Sequence, residues 1–325
     1  MKVMMVVRGL DYGFGSHVNP LIDALENLGV TIALKAAGGD MKALVIPLTR
    51  KTDADLIHFQ GSYLNVTKLK TATISTVHTT IGDELRFTVN YKLRMAKQLE
   101  KRSLRNSDAI ISVNPTLNKQ ILEQAPEARI HTIPNGVNTA EFNNLKPPRG
   151  NFLLSGGRLI NRKNFITLTK ALENTDLPPL RLFGDGPLDF IIKKTLREQD
   201  KLLGYIPRKD IIELYSTAQA FICPSLYETG PITVLEAMAA RCPVICSDIP
   251  AVEEIVENGK TGLTFNPHDP EELRDHIETL LGDPKLQDDL AETAYNWVKK
   301  ERNWQDIAKA TLHVYEETIE GGETH

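Results

Sequence analysis

The stretch AFICPSLYETGPITVLEAMAA, residues 220–240, decides the fold. Its first residues, Ala220 to Pro224, are a short apolar run that reads as a buried strand. Its last, Pro231 to Ala240, read as a helix. Proline suits a first helical position, where an N–H would have no partner. Val234, Leu235, Met238 and Ala239 then recur at helical spacing. A buried strand, a polar loop and a helix with one apolar stripe make up one unit of an α/β protein. The loop sets Glu228 just before the helix and leaves Glu236 inside it, with seven residues between them. A helix N-terminus carries free N–H groups and partial positive charge, so it attracts phosphate and carboxylate. Were the segment helical throughout, the two carboxylates would stand about 12 Å apart, at roughly 1.5 Å per residue. One metal ion does not span that distance. An extended ligand does, with a sugar at one end, a ribose at the other and a diphosphate between. The spacing also fits two ordinary acids, Glu228 favoured by the helix dipole and Glu236 solvated.

The same alternation runs along the chain. Candidate strands lie at 2–7, 31–35, 56–59, 72–77, 109–113 and 130–133, then at 151–154, 180–183, 220–223 and 243–246, with helical patterns between them. This order implies parallel sheets covered by helices on both faces. The segment NNLKPPRGN, 143–151, is polar with two prolines and a glycine, and reads as a linker after the turn Pro134-Asn135-Gly136. The expected domains are therefore 1–145 and 146–303, with a last amphipathic helix at about 304–321 packing back on the first. Two doubly wound domains would face each other across a cleft, with ligand loops at the C-terminal ends of the strands.

Composition narrows the function classes. Of 325 residues, 41% are hydrophobic and 25% charged, which is ordinary for a soluble globular protein, and the net charge is -4. A general nucleic-acid binder would show a basic excess instead. No apolar run reaches membrane-spanning length, and MKVMMVVRG reads as a first strand rather than a signal peptide. Cys223, Cys242 and Cys246 lack C-x-x-C spacing, which argues against zinc or a disulfide framework and for a reducing cytoplasm. Between Arg86 and Arg105 lie seven basic residues and one acidic one on an expected helix. That is either a solvated basic face or a surface that rests on anionic lipid near a lipid-linked acceptor.

Glycine-rich loops follow several strands. GLDYGFGS, with Gly13 and Gly15, sits between the first strand and the first helix but is not a full G-x-G-x-x-G, and a plain turn also fits it. Ser155-Gly156-Gly157-Arg158-Leu159 is followed by Arg162-Lys163-Asn164 at a helix start. Glycine clears space there, while Arg158 and Lys163 offer charge to phosphate oxygens. Gly184-Asp185-Gly186-Pro187 and Gly204-Tyr205-Ile206-Pro207 each close a strand-like run.

This ordered set resembles the retaining glycosyltransferases of family 4, which have the GT-B fold of two Rossmann-like domains. IPNGVN at 133–138 is similar to the family's domain-linking turn. GGRL with Lys163-Asn164 resembles its diphosphate loop, PSLYETGPITVLEAMA its paired-glutamate motif, and ENGKTGLTFNPHDPEEL the usual continuation. The resemblance implies a nucleotide-sugar donor such as a UDP-sugar, a glycan, lipid-linked or small-molecule acceptor, and no metal or other cofactor. It assigns Glu228 to the donor sugar, His78 to the transferred sugar, and Arg158 and Lys163 to the leaving diphosphate. Gly13, Gly15, Gly157, Gly184, Gly230 and the N–H groups of Ile232 and Thr233 would surround the donor. Glu236 would bind the ribose, and backbone at Tyr205 and Ile206 the base. Without the resemblance, His78 reads as a structural histidine. Three departures stand out: Pro231 and Arg241-Cys242 where the family usually has glycine and small residues, and Asn138 where it has aspartate. A non-catalytic binding protein or a sugar-nucleotide epimerase of the same architecture are the rivals. Intact Arg158, Lys163, Glu228 and Glu236 argue against the first, and the family 4 loops against the second.

Overall fold

A computed structural model describes residues 1–8, 14–37, 52–87, 91–142 and 149–322. Gly13, residues 143–148 of the expected linker and residues 88–90 of the basic run lie outside the described residues.

The chain forms two compact units, one of residues 1–136 with 304–325 and the other of 137–303. In the first, strands β1 (Lys2–Arg8), β2 (Thr31–Ala37), β3 (Leu56–Gln60), β4 (Ala72–Val77), β5 (Ala109–Ser112) and β6 (Ile130–Thr132) form one parallel sheet. Its order is β2-β1-β3-β4-β5-β6. Helices α1 (Phe14–Asn27), α2 (Ile81–Phe87), α3 (Tyr91–Asn106) and α4 (Pro115–Gln124) connect them. Alternate strand residues point to opposite faces. Val3, Met5, Leu56 and Ile74 therefore share one apolar layer, and Val6, Ile57 and Phe59 another. The first layer is covered by α1, through Val18, Leu21 and Leu25, and by α12 (Trp304–Gly322), through Ile307, Ala308, Val314 and Tyr315. At Gly136 any Cβ would stand 2.8 Å from the Trp304 ring, so the asparagine-glycine turn leaves room for the entering helix.

The second unit holds β7 (Leu153–Gly156), α5 (Phe165–Leu172), β8 (Leu180–Phe183), α6 (Asp189–Lys193), β9 (Lys201–Gly204), α7 (Arg208–Thr217), β10 (Ala220–Cys223), α8 (Ile232–Ala239), β11 (Val244–Ser247), α9 (Pro250–Glu253), β12 (Leu263–Phe265), α10 (Pro270–Gly282) and α11 (Pro284–Glu301). Its parallel sheet runs β12-β11-β10-β7-β8-β9, the strand order of an open, doubly wound dinucleotide-binding sheet. The order reverses between β7 and β10, and ligands bind such sheets beyond the strand ends at that reversal. The glycine-rich loop after β7 and the loop carrying Glu228 after β10 therefore emerge side by side.

Pro231 is the N-cap of α8 rather than its first residue. After α8, Arg241 takes the left-handed conformation, φ 55°. Its N–H reaches Met238 O and that of Cys242 reaches Ala237 O, the bond pattern of a helix ending at glycine. Arginine meets the backbone cost with its side chain, which lies 3.4 Å over the Tyr295 ring and donates to Glu292 at 2.7 Å. Asn138 keeps the turn-forming role of aspartate, its Oδ1 accepting from Ala140 N. The basic run is divided between α2 and α3, and its single acid, Glu100, is fully buried, accepting from Ser62 Oγ, Ile81 N and Gln124 Nε2. No helix among the described residues is long and apolar enough to cross a membrane.

Candidate donor site

In the second unit three strand ends are stitched together through glycine. Gly157 N donates to Phe183 O at 3.1 Å, Gly184 N to Gly204 O at 2.7 Å, and Leu159 N to Asp185 O at 2.7 Å. Gly184 has φ 113°, and a Cβ there would sit 2.0 Å from Gly157 O. No side chain fits, so the two loops meet backbone to backbone.

Beside this floor stands a charged pair. Lys163 Nζ donates to Glu228 Oε1 at 2.5 Å, and Ser225 Oγ donates to the same oxygen at 2.6 Å. Glu228 is buried, 6% exposed, and Lys163 is 13% exposed. Leu226 N donates to Arg162 O at 2.8 Å, which ties the two loops together. Burial pushes the Glu228 carboxyl up, but the charges of Lys163 and Arg162 and the bonds from Lys163 and Ser225 outweigh it and hold it below the usual range. Glu228 is thus an anion at neutral pH. Arg158 is exposed, and among the described residues neither its side chain nor that of Arg162 forms an ion pair. Two cations, Lys163 and Arg162, therefore act on one buried carboxylate. The first N–H groups of α8, at Ile232 and Thr233, belong to the same loop's end, and the first turn of a helix has no internal acceptor for them.

Glu236 lies deeper in α8, buried, and pairs with Arg208, whose Nη2 also donates to Glu141 Oε2 at 2.9 Å. Burial raises the Glu236 carboxyl, and Arg208 only partly opposes it. Arg208 opens α7 directly after Tyr205, Ile206 and Pro207, so the pair ties that segment to α8. Tyr205 is exposed, and Ile206 packs on the core. The structure brings Gly157, Gly184, Lys163 and Glu228 together, and it joins Glu236 to the Tyr205-Ile206 loop through Arg208. His78 follows β4 in the other unit, its Nε2 bonded to Gln60 Oε1 at 3.0 Å; Gly15 lies in the first turn of α1. Sequence reasoning missed Ser225, although it stands inside the paired-glutamate motif three residues before Glu228, and it missed Arg208 and Gln60 because each acts through a neighbour 28 or 18 residues away and belongs to no motif. No group of three or more histidine, cysteine, aspartate or glutamate side chains suited to a metal ion occurs among the described residues.

Two family models match in succession: Glycosyltransferase Family 4 over residues 16–141 and Glycosyl transferases group 1 over residues 137–297. The chain belongs to this glycosyltransferase family. A glycogen synthase of Mycobacterium tuberculosis is 29% identical over 257 residues, which cover 74% of this chain and 62% of that protein. The chain spans less than two thirds of the length of the curated relatives it matches. Among solved structures, sucrose-phosphate synthase from Thermosynechococcus elongatus superposes with a TM-score of 0.84 at 20% identity, over 99% of this chain and 100% of that one. Anabaena HepE, solved with UDP-glucose, superposes with a TM-score of 0.79 at 16% identity, over 98% and 100%. These likenesses establish the two-sheet GT-B fold for this family member.

Proposed function

We propose that the chain is a retaining, metal-independent glycosyltransferase that moves a sugar from a nucleoside diphosphate, UDP in the leading case, to a glycan, lipid-linked or small-molecule acceptor. The observation that carries this reading is the buried Lys163–Glu228 pair at the strand-order reversal, with the charge of Arg162 acting on the same carboxylate. Departure of the sugar builds positive charge at its anomeric carbon and negative charge on the diphosphate. Lys163, Arg158, Arg162 and the α8 N–H groups meet the second charge, preorganised and partly dry. Glu228, held ionised, does not serve as a proton donor; it accepts from sugar hydroxyls and faces the cation-like centre. The departing phosphate oxygen then takes the acceptor's proton on the same face, which retains the configuration without a protein nucleophile. Glu236 takes the ribose hydroxyls, and His78 the transferred sugar. The named relatives and the UDP-glucose complex of HepE support a hexose donor of this class. The reduced, buried cysteines fit a cytoplasmic enzyme, and the basic α2–α3 surface fits a stay at the membrane face.

The test is transfer from a panel of UDP-, GDP- and ADP-sugars with Glu228→Gln beside the wild type. The variant is expected to lose about 10²–10³-fold in turnover, the cost of one preorganised electrostatic partner, while binding free UDP as the wild type does. Transfer at the wild-type rate would remove Glu228 from the mechanism. No binding of any nucleotide by the wild type would overturn the donor class.

A further inference from the structure

One face of the first sheet changes character along its length. On β3 the residues pointing to the α1 and α12 side run Leu56, His58, Gln60. On β4 they run Ile74, Thr76, and beyond the strand His78. Leu56 and Ile74 belong to the apolar layer, and the rest are polar. His58, Gln60 and Thr76 are all buried. Burying polar groups costs free energy unless each is bonded, and these are bonded in a chain. Tyr315 OH of α12 lies 2.7 Å from His58 Nδ1, Thr76 Oγ1 2.6 Å and Gln60 Nε2 3.3 Å from His58 Nε2, and Gln60 Oε1 3.0 Å from His78 Nε2.

The chemistry of the groups orients the chain. Gln60 Nε2 also lies 4.0 Å from Met5 Sδ, which only accepts, so the amide nitrogen is the end that faces inward. An amide nitrogen only donates, which makes His58 Nε2 an acceptor and puts that ring's single proton on Nδ1, toward Tyr315. Burial holds His58 neutral, its pKa near 3. The outward end of Gln60 is its carbonyl oxygen, which only accepts. His78 must then carry a proton on Nε2, and when neutral it presents Nδ1 as its acceptor nitrogen.

We propose that Gln60 is a positioning residue for His78, held by the buried His58–Thr76–Tyr315 chain so that it fixes the Nε2–H tautomer and ring orientation at the C-terminal edge of the sheet. The consequence for transfer rests on the reading of His78 as the group that faces the transferred sugar. A neutral ring with its acceptor nitrogen fixed takes a hydrogen bond from a sugar hydroxyl and adds no positive charge beside a cation-like sugar.

The experiment is nitrogen-detected imidazole spectroscopy of the full chain, with the His78 resonances assigned from His78→Ala, for the wild type, Gln60→Leu and Gln60→Glu. The wild type is expected to show one tautomer with Nε2 protonated. Gln60→Leu should give a tautomer mixture. Gln60→Glu keeps the shape and acceptor while adding charge, and should raise the His78 pKa by about 1–3 units. A mixed tautomer in the wild type, or His78 signals unchanged in both variants, overturns the proposal. Transfer assays on the same proteins judge the underlying reading separately. If His78 faces the sugar, Gln60→Leu lowers kcat by about 10- to 100-fold with little change in donor KM. Full transfer by His78→Ala would discard the sugar-facing role, while the spectra still decide whether Gln60 sets the tautomer.

Discussion

Glu228 and Glu236 are both buried carboxylates on one strand-loop-helix unit, yet their surroundings push them in opposite directions. Glu228 has a depressed pKa, so its ionisation stabilises the fold above the ordinary carboxylate range, and that stabilisation is lost as pH falls through its folded value. Glu236 has a raised pKa, so above its unfolded value its ionisation favours the unfolded chain, and the penalty fades as pH falls below that value. A carboxylate that weakens the fold at neutral pH is a candidate for retention by function. Glu236→Gln is expected to unfold at higher urea than the wild type at pH 7, with the gain shrinking toward pH 4. Arg208 keeps Glu141 as a partner, so no cation is stranded. The same variant should bind UDP about tenfold or more weakly, through loss of hydrogen bonds accepted by a charged group. A variant less stable at pH 7 with unchanged UDP affinity would make Glu236 a structural acid.

At the scale of the elements, the glycine positions divide by physical cause. Gly184 and Gly204 both have positive φ, 113° and 67°. At Gly184 a Cβ meets Gly157 O at 2.0 Å, whereas at Gly204 nothing lies within 4 Å. Gly184→Ala should therefore cost more than the backbone strain of about 1–3 kcal/mol, because the loops after β7 and β8 must part. Gly204→Ala should cost only the left-handed penalty, about 1–2 kcal/mol. Urea unfolding of the two variants measures this, and equal losses would mean that the loop contact carries no weight. The sequence shows both glycines but not this difference, which depends on which strands become neighbours. Strands with strong apolar runs, such as 72–77, 180–183 and 220–223, are legible to the residue. The three-residue β12 carries too little apolar pattern to be read, and the edge strand β9, half-buried and opened by Lys201, shows only as a strand-like run before Gly204. The charged pair was legible through its motifs. Arg208 and Gln60 were not, because sheet order and helix packing bring them to Glu236 and His78.

At the scale of the whole molecule, the covalent order and the folding units differ. The second unit, 137–303, is one continuous segment with its own sheet and an apolar layer on each face, Leu154, Phe221 and Val244 on one and Leu153, Ile222 and Ile245 on the other. It holds Arg158, Lys163, Arg208, Glu228 and Glu236. The first unit is discontinuous, since α12 arrives from the far end of the chain to cover Val3, Met5 and Leu25. Residues 137–303 expressed alone should therefore fold cooperatively and bind UDP within about tenfold of the full chain. Lys163→Ala in that fragment should weaken binding by about 1.5–3 kcal/mol, the worth of a hydrogen bond to a charged group, or roughly 10- to 100-fold in Kd. On the roles proposed for His78 and for Gly13 and Gly15, the fragment should transfer no sugar, because it lacks all three residues. Residues 1–136 alone should expose the α12 face and aggregate, and a peptide of residues 304–325 should restore a cooperative transition. Calorimetric titration and urea melts of the fragments decide the matter. A fragment 137–303 that folds but ignores UDP would move essential donor contacts into the first unit, where Gly13 and Gly15 become the positions to vary.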